Sequence, residues 1–134
     1  MAVTGTDVVP VRTEQDIVVS RQLVRKLLQQ LQFSLVDQTK MVTAASELAR
    51  NTVKYGGGGN MRWETLEAGG RSGLRLAFED QGPGIPDTVL AMTDGFTTGN
   101  GMGKGLPGSK RLVNEFDLQT APGQGTTVTI TRWK

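Results

Sequence analysis

The chain has 134 residues, a formal net charge of +2 from 15 Lys and Arg against 13 Asp and Glu, no histidine and no cysteine. Those two absences exclude disulfides, thiolate nucleophiles, phosphohistidine, the usual zinc sites and any histidine-based acid–base mechanism. The charge excess is too small for a nucleic-acid binder, no apolar run approaches the ~18 residues of a membrane span, and Met1 to Val9 lacks the basic and apolar regions of a signal peptide. A cytoplasmic single domain spanning 1–134 is expected, its first roughly seven residues flexible. Glycine is the outlier: 18 of 134, with eight between Gly82 and Gly108 and only Gly5 before Gly56. A conventional first half followed by a half full of special backbone positions points to a ligand loop.

Val8 to Val11 predicts a short strand that Pro10 would confine to an edge. Thr13, followed three residues later by Asp16, is a capping pattern. The spacing of Ile17, Val24, Leu28 and Leu31 behind it predicts a helix over 14–32. Ser34 and Asp37 repeat the pattern and open a second helix of about twenty residues, which the Gly56–Gly59 run must end near Tyr55. Met61 to Glu67 and Leu74 to Asp80 read as strands joined by the glycine-containing stretch 68–73. A short helix is expected at 87–92, then a mobile loop over 94–104. A helix over 106–114 follows, and two closing strands, 116–120 and 126–133. Helices grouped beside hairpin-joined strands predict an α/β two-layer sandwich, with a mixed, mostly antiparallel sheet and helices on one face.

Four segments could carry chemistry. Glu47 and Asn51 lie four residues apart on the second helix, roughly 40° apart around its axis, and away from the Met41, Ala45, Leu48 and Ala49 core stripe. A carboxylate and an amide so placed can act on one small object such as hydrated Mg²⁺, or simply form a solvated face. Asp80 closes an apolar strand before Gly82, Pro83 and Gly84, where its carboxylate can accept from an exocyclic amine while the glycines let a flat ring approach. Capped turns use the same residues. Gly101, Gly103 and Gly105 alternate just before a helix, leaving N–H groups at its positive end for an anion. The Rossmann reading of 103–108 lacks a preceding strand, and the P-loop reading fails because Ser109-Lys110 stands where Lys and then Ser or Thr is required. Last, Gly123-Gln124-Gly125-Thr126 precedes the final strand, as ordinary turns also do.

Taken in order, Glu-x-x-x-Asn, Asp-x-Gly-x-Gly, Gly-x-Gly-x-Gly-Leu and Gly-x-Gly-Thr resemble the four boxes of the GHKL (Bergerat-fold) ATPase and kinase superfamily. Within it, the chain from about Val11 onward looks like the RsbT-like serine/threonine switch kinases of bacterial partner-switching modules. The stretches Ser-Glu-Leu-Ala-Arg-Asn, Glu-Asp-Gln-Gly-Pro-Gly-Ile-Pro-Asp and Gly-Leu-Pro-Gly-Ser-Lys-Arg-Leu carry that likeness.

The resemblance implies an ATP-binding kinase domain with ATP and Mg²⁺ as cofactors. It assigns Glu47 to orienting or deprotonating the attacking hydroxyl and Asn51 to the metal. Asp80 would accept from the adenine amino group, with Gly82, Gly84 and Ile85 around the ring and Thr126 supporting Asp80. Gly101, Met102, Gly103, Gly105 and Leu106 would form the lid hinge and phosphate cradle; Lys104 is added as a phosphate contact on its place in the loop. The implied reaction transfers the ATP γ-phosphate to Ser or Thr of a STAS-domain antagonist or scaffold of the RsbS or RsbR kind. A PP2C-type phosphatase of the RsbU kind is the implied second partner. The alternative is an ATP-dependent anti-sigma factor that sequesters a sigma factor.

Overall fold

A computed structural model describes residues 1–82, 106–120 and 123–134. The elements run β1 (Ala2–Val11), α1 (Glu14–Gln30), α2 (Leu35–Lys54), β2 (Gly59–Ala68), β3 (Arg71–Asp80), α3 (Leu106–Arg111), β4 (Glu115–Thr120) and β5 (Thr126–Trp133). The helix expected at 87–92 and the loop over 94–104 lie outside the described residues.

Both long helices begin where their side chains satisfy the otherwise unpaired first N–H groups. The Thr13 hydroxyl accepts from the Asp16 N–H at 3.1 Å, and Asp16 Oδ2 accepts in return from the N–H groups of Thr13 and Arg12. At α2 the Ser34 hydroxyl accepts from the Asp37 N–H. The α2 exit is closed by Tyr55 and Gly56, whose N–H groups both donate to the Asn51 carbonyl, and by Gly58, which donates to that of Thr52.

The five strands are ordered β1-β2-β3-β5-β4, and every pairing among the described residues is antiparallel. Pairing register aligns Val9, Met61, Phe78, Val128 and Leu118 in one row across all five strands. The neighbouring row contains Trp63, Leu76, Ile130 and Phe116. These rows pack with Val24, Leu28, Met41, Ala45 and Leu48 of α1 and α2 in one hydrophobic core. Strand period 2 thus meets helix period 3.6 on a single interface, the two-layer sandwich expected from the sequence.

Several boundaries differ from the sequence reading, three of them informatively. The first strand begins at Ala2 rather than Val8, so the leading residues expected to be flexible are paired with β2 out to Glu67. Their polar, glycine-containing sequence hides this, because an edge strand with one solvated face needs little apolar residue. The β2–β3 connection tightens to Gly69 and Gly70, with φ of 57° and 80°. Positive φ at both central positions is the conformation whose twist suits a two-residue hairpin, and the ladder therefore runs to Ala68 and Arg71. Finally, α3 stops at Arg111. The Leu112 N–H turns back to the Ser109 carbonyl, and the Asn114 N–H is taken by Thr131 of β5, which hands the chain to the sheet.

Candidate functional site

A third row of the same face closes one end of the sheet: Val11, Gly59, Asp80, Thr126 and Thr120. The C-terminal half of α2 passes over this end. Between them lies a pocket lined by Leu48, Asn51, Thr52, Tyr55 and Gly56 from α2 and its exit, Phe78 and Asp80 from β3, Leu106 from α3, and Thr126 and Val128 from β5. Elements far apart in sequence therefore bring Asn51, Asp80, Leu106 and Thr126 to one concavity, each drawn from a different one of the four motifs.

Asp80 is the polar centre. Burial pushes its carboxyl up from the ordinary carboxylate range, while backbone N–H groups of Gly82 and Thr126 donate to it and pull it partly back. The Gly82 N–H meets Oδ1 at 2.8 Å. The contribution of Thr126 comes through its backbone, because its hydroxyl is paired with that of Thr120 at 2.9 Å. A half-buried carboxylate beside the apolar side chains of Leu48, Phe78, Leu106 and Val128 is a hydrogen-bond acceptor set in a largely apolar slot.

Glycines let the backbone close around this residue. A Cβ on Gly82 would fall 2.7 Å from the Gly56 carbonyl oxygen. Gly125, at φ +79°, lies so close to the Asp80 backbone that a Cβ would overlap the Asp80 carbonyl oxygen. The Gly-x-Gly-Thr turn thus needs its second glycine for both conformation and space.

Glu47 does not line the pocket. It sits one helical turn before Asn51, its side chain 39% exposed and 3.7 Å from the Arg50 guanidinium. Gly84, Ile85, Gly101, Met102, Gly103, Lys104 and Gly105 lie outside the described residues.

Sequence reasoning missed Thr52, Tyr55, Gly56, Phe78 and Val128 as lining residues, and placed Leu48 only in the core. Signals for some were present. Phe78 stands two residues before Asp80, and Val128 two after Thr126, so strand alternation puts each on its neighbour's face. Tyr55 follows Asn51 at helical i+4 spacing.

The model of the histidine kinase-, DNA gyrase B- and HSP90-like ATPase family matches residues 36–134. The chain belongs to this family. A curated relative, the serine/threonine-protein kinase RsbT of Bacillus subtilis, is 48% identical over 93% of this chain and 94% of its own. An anti-sigma F factor of Thermoanaerobacter is 29% identical over 85% of this chain and 82% of its own. Among solved structures, the RsbU and RsbW domains of a Mycobacterium tuberculosis protein superpose with a TM-score of 0.62 at 21% identity. That match covers 98% of this chain, which spans 33% of the solved one. It is a likeness of fold.

Proposed function

We propose that this chain is the serine/threonine kinase of a bacterial partner-switching module, transferring the ATP γ-phosphate to a hydroxyl of a STAS-domain antagonist or scaffold protein. The observation that carries the reading is the pocket that gathers Asn51, Asp80, Leu106 and Thr126, in a chain that shares nearly its full length with a named serine/threonine-protein kinase. Asp80 accepts from the adenine amino group, with Leu48, Phe78, Leu106 and Val128 against the ring. The start of α3 at Leu106, with the glycine-rich residues that precede it in sequence, would hold the nucleotide's phosphates.

The residues present fit Mg²⁺. Asn51 borders the pocket and offers one neutral oxygen, which suits an ion that keeps several waters and is otherwise bound by phosphate oxygens. When bound, the ion supplies charge neutralisation at the phosphates. Glu47 lies beyond the pocket lining, on the Asn51 side of α2, where an acceptor hydroxyl can reach it without displacing the nucleotide. It takes the hydroxyl proton as the new O–P bond forms and the bond to the ADP oxygen breaks. Phosphoryl transfer asks the protein mainly for such positioning and electrostatics.

Among the described residues no helix is long and apolar enough to cross a membrane, in keeping with a module that works in the cytoplasm. A PP2C-type phosphatase is the second partner. A second reading, an ATP-dependent anti-sigma factor, is favoured by the anti-sigma F relatives. Calorimetric titration of the Mg-ATP-loaded chain with STAS-domain and sigma-factor partners from the same cell separates them. The kinase reading predicts STAS binding without sigma binding; sigma binding without STAS binding contradicts it.

A further inference from the structure

We infer that Gly56, the first residue of the four-glycine run after α2, is a positioning residue of the nucleotide site, present because a side chain there would drive the Asp80 carboxylate from its place. The inference rests on the reading of Asp80 as the group that recognises adenine.

Ending the helix does not require glycine at this position. The left-handed turning is done by Gly57 and Gly58, at φ +76° and +94°, whereas Gly56 is not at positive φ. Gly59 has its own reason, since a Cβ there would overlap the Glu79 carbonyl oxygen across the β2–β3 pair. What distinguishes Gly56 is its neighbour. A Cβ would stand 2.5 Å from both Cγ and Oδ2 of Asp80 and 2.8 Å from its Cβ, closer than real Cβ atoms come.

Asp80 has no retreat that keeps its bonds. Its carboxylate is held by the Gly82 and Thr126 N–H groups, Gly82 lies against the Gly56 backbone, and Gly125 closes on the Asp80 backbone from the β5 side. A methyl group at 56 must therefore pull the carboxylate off its donors or lift the α2 exit away from β3. Since the Tyr55 and Gly56 N–H groups share the Asn51 carbonyl, lifting the exit also disturbs the turn that carries Asn51. Either movement spoils the distance between the base-reading carboxylate and the phosphate end of the site. The glycine run is thus a spacer between two functional residues as well as a helix stop.

The test compares the full chain with Gly56→Ala and with Gly57→Ala. The Gly57→Ala methyl meets nothing within 4 Å but carries the backbone strain of a positive φ. ATP and GTP dissociation constants are measured by calorimetry with Mg²⁺; guanine carries a carbonyl where adenine carries the amino group that Asp80 accepts. The expected result is preference for ATP in the unmodified chain and in Gly57→Ala. In Gly56→Ala, ATP affinity falls by about tenfold or more and the ATP-to-GTP ratio moves toward one, the loss expected when a charge-assisted hydrogen bond is misplaced. Unchanged affinity and ratio in Gly56→Ala would overturn the assignment while leaving the Asp80 reading intact. Equal binding of both nucleotides by the unmodified chain would overturn the Asp80 reading, and the role of Gly56 with it.

Thermal midpoints supply a second measurement should Gly56→Ala bind poorly because it folds poorly. Its destabilisation should largely vanish in an Asp80→Gly background, where the obstructing side chain is gone. Equal destabilisation in both backgrounds would overturn the inference.

Discussion

Arg132 on β5 and Asp37 in the first turn of α2 are joined by a 2.6 Å ion pair, although 95 residues separate them in sequence. The other terminal nitrogen of Arg132 donates to the Leu112 carbonyl at 2.8 Å, so one guanidinium ties the start of α2 to the chain just after α3. The two side chains are 28% and 14% exposed for Asp37 and Arg132, enough shielding for the pair to matter. The hydrogen bond from Arg132, opposed by partial burial, holds the Asp37 carboxyl below its ordinary value of 3.8. A depressed folded-state value adds stability above the unfolded value, and that stability is lost as pH falls through the folded one. Asp37→Asn is expected to cost about 1–2 kcal/mol at pH 7. It should also flatten the loss of stability below pH 3.8, as read by urea unfolding across pH.

Asp80 has the opposite sign. Its carboxyl is raised, chiefly by burial, so its contribution to stability is fully present below the unfolded value and is lost as pH rises through the folded one. Wherever the group is ionised in the folded protein, its buried charge opposes folding. Asp80→Asn is therefore expected to melt no lower than the unmodified protein at pH 7, while the rise in melting temperature on adding Mg-ATP disappears. Differential scanning fluorimetry with and without nucleotide reads both. A lower melting temperature with an undiminished nucleotide shift would remove Asp80 from recognition.

Asn51 borders the pocket at the end of α2 whose neighbours Leu48, Ala49 and Thr52 are buried. Asn51→Ala should leave the far-ultraviolet circular dichroism unchanged and lower phosphotransfer by about a hundredfold or more, the scale of losing one preorganised electrostatic contact. Transfer at the unmodified rate would take the metal role from Asn51.

Glu47 stands outside the lining of the pocket, which sharpens its test. Glu47→Ala should change the ATP dissociation constant less than about threefold while transfer falls by roughly 10²–10⁴-fold, the range for a proton acceptor. Parallel loss of affinity and rate would make Glu47 a binding or structural residue.

Part of the pocket lining was legible because Asp80, Leu106 and Thr126 each stand at an element boundary that sequence chemistry marks. Ser34 and the Gly56–Gly59 run bracket α2, which fixes the face carrying Asn51; Asp80 ends an apolar alternation, and Thr126 begins another. The row that joins Gly59, Asp80, Thr126 and Thr120 was not legible, since it depends on β3 pairing with β5 rather than with the next strand in the chain. Gly56 illustrates the same limit. A glycine after a helix reads as a stop signal, and only the approach of β3 gives it a second reason to lack a side chain. The length of β1 was hidden because its partner lies far along the chain, Ala2 pairing with Glu67 and Val11 with Gly59.

The proposed reaction is transfer of a phosphoryl group to a hydroxyl on another protein. Its most direct test is to incubate the full chain with Mg-ATP and STAS-domain proteins from the same cell, then locate any modification by intact-mass and peptide mass spectrometry, with Glu47→Ala in parallel. The predicted result is one added phosphoryl group on a Ser or Thr of a STAS-domain acceptor, absent with Glu47→Ala. ATP consumed with every STAS-domain protein left unmodified would contradict the account.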